Sequence, residues 1–187
     1  MKNYATVNTM VNSPMMEYYL FEAQKGNADA AYEAAKITAL DNNNDVYFIQ
    51  KRFFRAADLG DERAQRILGI LGLCQKLMTE DSTYGNIHFN PDRRVGFEWL
   101  TEAACTGDVL ATYLIGCCHL YGIGTEKSPE QAQRFFMQVI SKVSMDVVLE
   151  TMMLFESISA GIEVQDDGED IASLGKKILD GITAIAS

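Results

Sequence analysis

The sequence predicts an all-α chain built as an α-solenoid of about three to four antiparallel helix pairs. Three observations carry this. A module recurs in which aromatic residues precede a small-residue pair, a glycine follows, and an alanine stands four residues further on. Tyr18-Tyr19, Ala23, Gly26 and Ala30 form the first copy, Phe53, Ala56-Ala57, Gly60 and Ala64 the second, and Trp99, Ala103-Ala104, Gly107 and Ala111 the third. The glycines stand 34 and 47 residues apart, the period of one helix-turn-helix unit stacked repeatedly, once with an insertion. Between them apolar residues recur at helical intervals and stop at capping residues, and only three prolines interrupt the 187 residues.

Taken in order, residues 1–13 are polar and aperiodic and read as a flexible N-terminal segment. Residues 14–160 read as the repeat array, and 161–187 as an acidic loop with a C-terminal capping helix. Ser13-Pro14 starts the first helix, with Ser as cap and Pro at its first position. The helix pairs expected are 27–40 with 45–59, 61–77 with 92–106, and 108–121 with 128–142. Asp45, Asp92 and Ser128 cap the second helix of each pair, and Gly60 and Gly107 end helices. Gly69 and Gly72 fall inside a helix, where each costs about 1 kcal/mol relative to Ala, so close helix packing is the expected reason for them. Residues 79–91 read as an inserted loop that accounts for the longer spacing.

Composition narrows the function. The chain is 48% hydrophobic and 22% charged, as one ordinary domain would be, with no apolar run near the roughly 20 residues a membrane-spanning helix needs. The N-terminus lacks an apolar signal core, so the expected location is cytoplasmic and no membrane partner is expected. A formal charge of −10 argues against nucleic acid, since binding a polyanion begins with neutralising phosphates. Residues 143–187 carry nine acids and two lysines, concentrating the negative charge at the C-terminal end. Cys74, Cys105, Cys117 and Cys118 have no C-x-x-C spacing and no common repeat column, so they are expected reduced.

No constellation for chemistry emerges. His88 and His119 do not share a helix face with a carboxylate, so no metal is expected. The acidic run 163–170 fails as a calcium loop, because aligning Gly168 to the sixth position puts Leu174 where a bidentate Glu is required. Gly122-x-Gly124 lacks the following Gly-Lys-Ser/Thr of a phosphate loop and reads as a turn between paired helices. No cofactor and no enzymatic activity are expected.

The third unit carries a resemblance. Ala111-Thr112-Tyr113-Leu114-Ile115-Gly116, then Gly122-x-Gly124, Ser128, Ala132 and Phe135-Phe136 resemble the Sel-one-like repeat, a relative of the tetratricopeptide repeat. The likeness covers about residues 17–142. His119 stands where the family has tyrosine, Ser128 where it has aspartate, and Gly72 occupies the tyrosine column of the second unit. The resemblance implies a right-handed superhelix of antiparallel helix pairs and a role in assembling protein complexes. Members of the family include bacterial adaptors, secreted host-binding proteins and immunity proteins of toxin systems.

In such stacks the first helix of each pair lines the concave face. With Ala35, Gly69 and Gly116 as the close-packing column, the inward columns place Tyr32, Lys36, Arg63, Arg66, Ile70, Leu73, Tyr113, Leu120 and Tyr121 on a candidate partner-binding surface. Aromatic and arginine anchors suit a protein partner with acidic or apolar character. The expected function is therefore a non-enzymatic interaction module or adaptor. The alternative is a bacterial immunity or inhibitor protein neutralising a basic toxin or enzyme, steered by the patch Glu163, Asp166, Asp167, Glu169 and Asp170.

Overall fold

The computed structural model describes residues 14–40, 46–81, 86–90 and 92–142. Among them run seven helices and one β-hairpin: α1 (Pro14–Gln24), α2 (Ala28–Leu40), α3 (Val46–Asp58), α4 (Glu62–Leu73), β1 (Leu77–Asp81), β2 (Asn86–Asn90), α5 (Arg93–Cys105), α6 (Val109–Tyr121) and α7 (Pro129–Lys142). Each helix packs mainly on the helices next to it in sequence, with α2 on α3, α4 on α5 and α6 on α7 forming the three expected pairs, α1 leaning on α2, and β1 touching α3 as well. Packing dominated by sequence neighbours is the mark of a quasi-one-dimensional array. The segments expected beyond residue 142 and the cap Asp45 lie outside the described residues.

The recurring module is a turn made three times. Gly26, Gly60 and Gly107 adopt φ of +95°, +92° and +104°, a left-handed conformation that costs glycine no Cβ clash. At each, the glycine N–H donates to the carbonyl three residues back and the next residue's N–H to the carbonyl five residues back, as in Asp61 N to Ala56 O at 3.1 Å. That next residue, Asn27, Asp61 or Asp108, then caps the following helix. Its side-chain oxygen accepts from the N–H of Ala30 at 3.1 Å, Ala64 at 3.0 Å or Ala111 at 2.7 Å. The alanine of the module is thus the third helical residue. All three are buried.

The α4 and α5 pair is the tightest. A Cβ on Gly72 would lie 2.5 Å from Gly96 Cα, one on Gly69 2.6 Å from Leu100 Cγ, and one on Gly96 2.5 Å from Leu73 N. Close packing is indeed why Gly69 and Gly72 stand in a helix, and Gly96, not singled out from sequence, is the third partner. Gly116 repeats the device against the Phe136 ring of α7.

The region after α4 departs from the sequence reading. The helix expected over 61–77 ends at Leu73, and Leu77–Asp81 pairs antiparallel with Asn86–Asn90 in the register Leu77↔Asn90 to Asp81↔Asn86. The cause lies on α3. Gln50, 2% exposed, donates from Nε2 to Lys76 O at 2.9 Å and accepts at Oε1 from Met78 N at 2.8 Å, so its amide completes the backbone of β1. Leu77 then anchors the strand in the core with Phe53 and Leu68.

Candidate protein-interaction surface

Helices α2, α4 and α6 supply the residues that the sequence assigns to the concave face. Asp29 and Arg63, one repeat apart, meet: Arg63 Nη2 lies 2.6 Å from Asp29 Oδ1 and 2.6 Å from Asp61 Oδ2. Its guanidinium lies 4.0 Å from the centre of the Tyr32 ring, which also meets the edge of Phe53 at 6.0 Å and the Lys36 ammonium at 5.7 Å. Hydrogen bonding to Asp61, with Asp29 adding to it, holds the Arg63 guanidinium above its usual range. Arg66, one turn along, pairs with Asp108, the cap of α6, whose side chain is buried. Lys36 pairs with Glu33 at 2.7 Å and its ammonium is raised by that hydrogen bond.

The two arginines are therefore struts between repeats. Arg63 ties α4 to α2, and Arg66 ties α4 to the turn that begins α6. Their charges are met inside the molecule, and the cap carboxylates that hold the helices also hold the arginines. Nothing in the sequence period announces this, because the period marks Gly60 and Gly107 but not the acids that follow them.

The remaining assigned residues divide. Ile70, Leu120 and Tyr121 are half-buried, Ile70 and Tyr121 at the edge of the third-unit core. Leu73 and Tyr113, 1% and 2% exposed, are core residues rather than groove residues. The Gly72 to Gly96 contact draws the last turn of α4 onto α5 and covers Leu73, while Tyr113 turns toward α7, its ring 5.4 Å from Phe136. The acidic patch Glu163, Asp166, Asp167, Glu169 and Asp170 lies outside the described residues.

His119 stacks on Phe135 at 5.6 Å and takes the edge of Phe97 at 5.4 Å. Phe97 also lines a broad shallow depression of about 690 Å³ between the start of α5 and the Gly122-x-Gly124 turn. Its charged walls balance, with Arg93 and Arg94 against Asp92 and Glu126, and Arg94 bonds Asp92 at 3.0 Å. No group of three metal-ligating side chains occurs among the described residues. None of their helices is long and apolar enough to cross a membrane. All four cysteines are free, Cys105 exposed and Cys117 and Cys118 buried.

A Sel1 repeat protein from Oxalobacter formigenes superposes with a TM-score of 0.57 at 20% identity, over 72% of this chain and 95% of that one. The chain has the Sel1-repeat fold. A second solved structure with this fold, a protective antigen of uropathogenic Escherichia coli strains, superposes with a TM-score of 0.54 at 20% identity over 80% of this chain. The chain spans 30% of that protein's length. No family profile and no curated protein sequence matches the chain. The turn made three times, at Gly26, Gly60 and Gly107, is thus the local chemistry of this stack.

Proposed function

We propose that this chain is a non-enzymatic protein-interaction module that takes a partner across α2, α4 and α6. One observation supports this most: the Asp29–Arg63–Asp61 and Arg66–Asp108 bridges fix three successive first helices into one face whose fixed cations are already neutralised. A face held in place before binding loses little further freedom when a partner arrives. With Arg63 and Arg66 engaged between helices, recognition falls to Tyr32, Ile70, Leu120, Tyr121 and the exposed Lys36 ammonium, paired only with Glu33 of its own helix, which favours an apolar segment over an acidic one.

The test is affinity purification from the native host, then titration of the recovered partner against Lys36→Glu combined with Leu120→Ser. The expected loss is about 2 kcal/mol or more, roughly thirtyfold in Kd, with the far-ultraviolet spectrum unchanged. Undiminished affinity in the folded double variant would move the partner off this face. The inhibitor reading rests on residues 163–170, and no feature of the described residues favours it.

A further inference from the structure

A second surface lies on the outer side of the first unit, on α3. Arg55 stands three residues after Arg52 and four after Lys51 on this helix, which makes it the neighbour of both on the helix surface. None makes a hydrogen bond or an ion pair among the described residues. Instead Arg52 lies over the Phe48 ring at 4.8 Å and Lys51 over the Tyr47 ring at 5.9 Å. Arg52 Nε is buried with no acceptor, and burial lowers the guanidinium from its usual value. A buried donor without a partner is costly in a folded chain unless something else supplies the acceptor.

Arg52 and Arg55 also wall a cleft of about 50 Å³ over the alanines of α2, faced across it by Leu20 and Ala23 of α1. The space suits a small apolar side chain, and its lining is mostly aliphatic. The two helices that flank it leave large apolar side chains in water: Phe48 at 43% exposure on α3 and Phe21 at 56% on α1. Unpaired cations beside exposed rings on a chain of net charge −10 mark a local reversal of sign.

We propose that the α1 and α3 cleft is a second docking site, and that it takes an acidic peptide segment of a partner protein, carboxylates on Arg52 and Arg55 and an apolar side chain between them. Charge complementarity selects the occupant. Carboxylates pair with the solvent-facing parts of the Arg52 and Arg55 guanidiniums in the forked geometry that guanidinium favours. The site is separate from the face of α2, α4 and α6, because its arginines are free where Arg63 and Arg66 are engaged.

The test uses the full chain and a fluorescein-labelled peptide of about a dozen residues alternating Glu and Leu, followed by fluorescence anisotropy at low salt. Binding should weaken at least tenfold in Arg52→Glu with Arg55→Glu, and as strongly when Gln replaces Glu in the peptide. Lys36→Glu with Leu120→Ser should leave it within twofold. An Arg52→Gln, Arg55→Gln pair guards against misfolding, and should give an intermediate loss with an unchanged thermal midpoint. Equal binding of the Glu and Gln peptides, or of wild type and the Glu double variant, would overturn the proposal. So would tighter binding of a single-stranded oligonucleotide than of the peptide, or a concentration-dependent dimer abolished by the double variant, which would make the occupant a nucleic acid or a second copy.

Discussion

Arg63 and Arg66 on α4, and Arg52 and Arg55 on α3, are four arginines with opposite fates. The first pair is held by Asp29, Asp61 and Asp108, carboxylates that the repeat turn already places at helix starts. The second pair lies on a helix whose one acid, Asp58, makes no ion pair with it, and it meets the Phe48 ring and a cleft instead. The residue type is the same, and so is the helical setting. What differs is whether the fold supplies a carboxylate, so charge read along a sequence says little about charge available to a partner.

The contrast breaks most severely at the packing that brings the struts together. Gly96→Val would drive a side chain into the backbone of α4, at Leu73 N and Gly69 O, and should cost on the order of 3 kcal/mol or more. Iodoacetamide labelling reads this directly. Burial pushes the Cys118 thiol up to about 12 and raises Cys117 as well, so in the wild type at mildly alkaline pH both should react far more slowly than exposed Cys105. In Gly96→Val that protection should fall by about a hundredfold. Equal protection in both proteins would mean the helix pair separates without disturbing the core.

Removing one strut comes next. Asp108→Ala deletes the cap of α6 and strands Arg66, and should lower unfolding free energy in urea by about 2 kcal/mol. Asp29→Ala, at a carboxylate 72% exposed, should cost within about 0.5 kcal/mol. Arg52→Ala and Arg55→Ala should each stay within about 0.5 kcal/mol too, because no bond in the fold depends on them. A loss there as large as that of Asp108→Ala would make all four arginines structural and erase the distinction.

The smallest effect concerns Asp92, the exposed cap of α5. The backbone N–H of Arg94, helped by its side chain, holds this carboxyl below the usual 3.8. A depressed folded value means the stabilisation is present above the unfolded value and is lost as pH falls through the folded one. A carboxyl titration by NMR should therefore show Asp92 with a midpoint below 3.8, and a midpoint above it would remove the cap bond.

The turn and its helices are written in the sequence because each depends on residues close in the chain. Gly60, Asp61 and Ala64 lie within five positions and specify a left-handed residue, a cap and a close contact. The β-hairpin depends on Gln50, far from the strand it completes, and periodicity cannot express that. A local signal did exist: the alternation through Asn86-Ile87-His88-Phe89 after Gly85 reads as strand after turn. The candidate face was legible as a set of helix columns. Which columns point to solvent was not, since Gly96 decides the burial of Leu73 from another helix and Phe136 that of Tyr113.

The most direct measurement is an arginine-selective NMR spectrum of side-chain Nε–Hε groups, recorded as the Glu and Leu peptide is added. The account predicts that Arg52 and Arg55 move and sharpen with peptide while Arg63 and Arg66, held by their carboxylates, stay in place. Movement of Arg63 and Arg66 with Arg52 and Arg55 unmoved would contradict it.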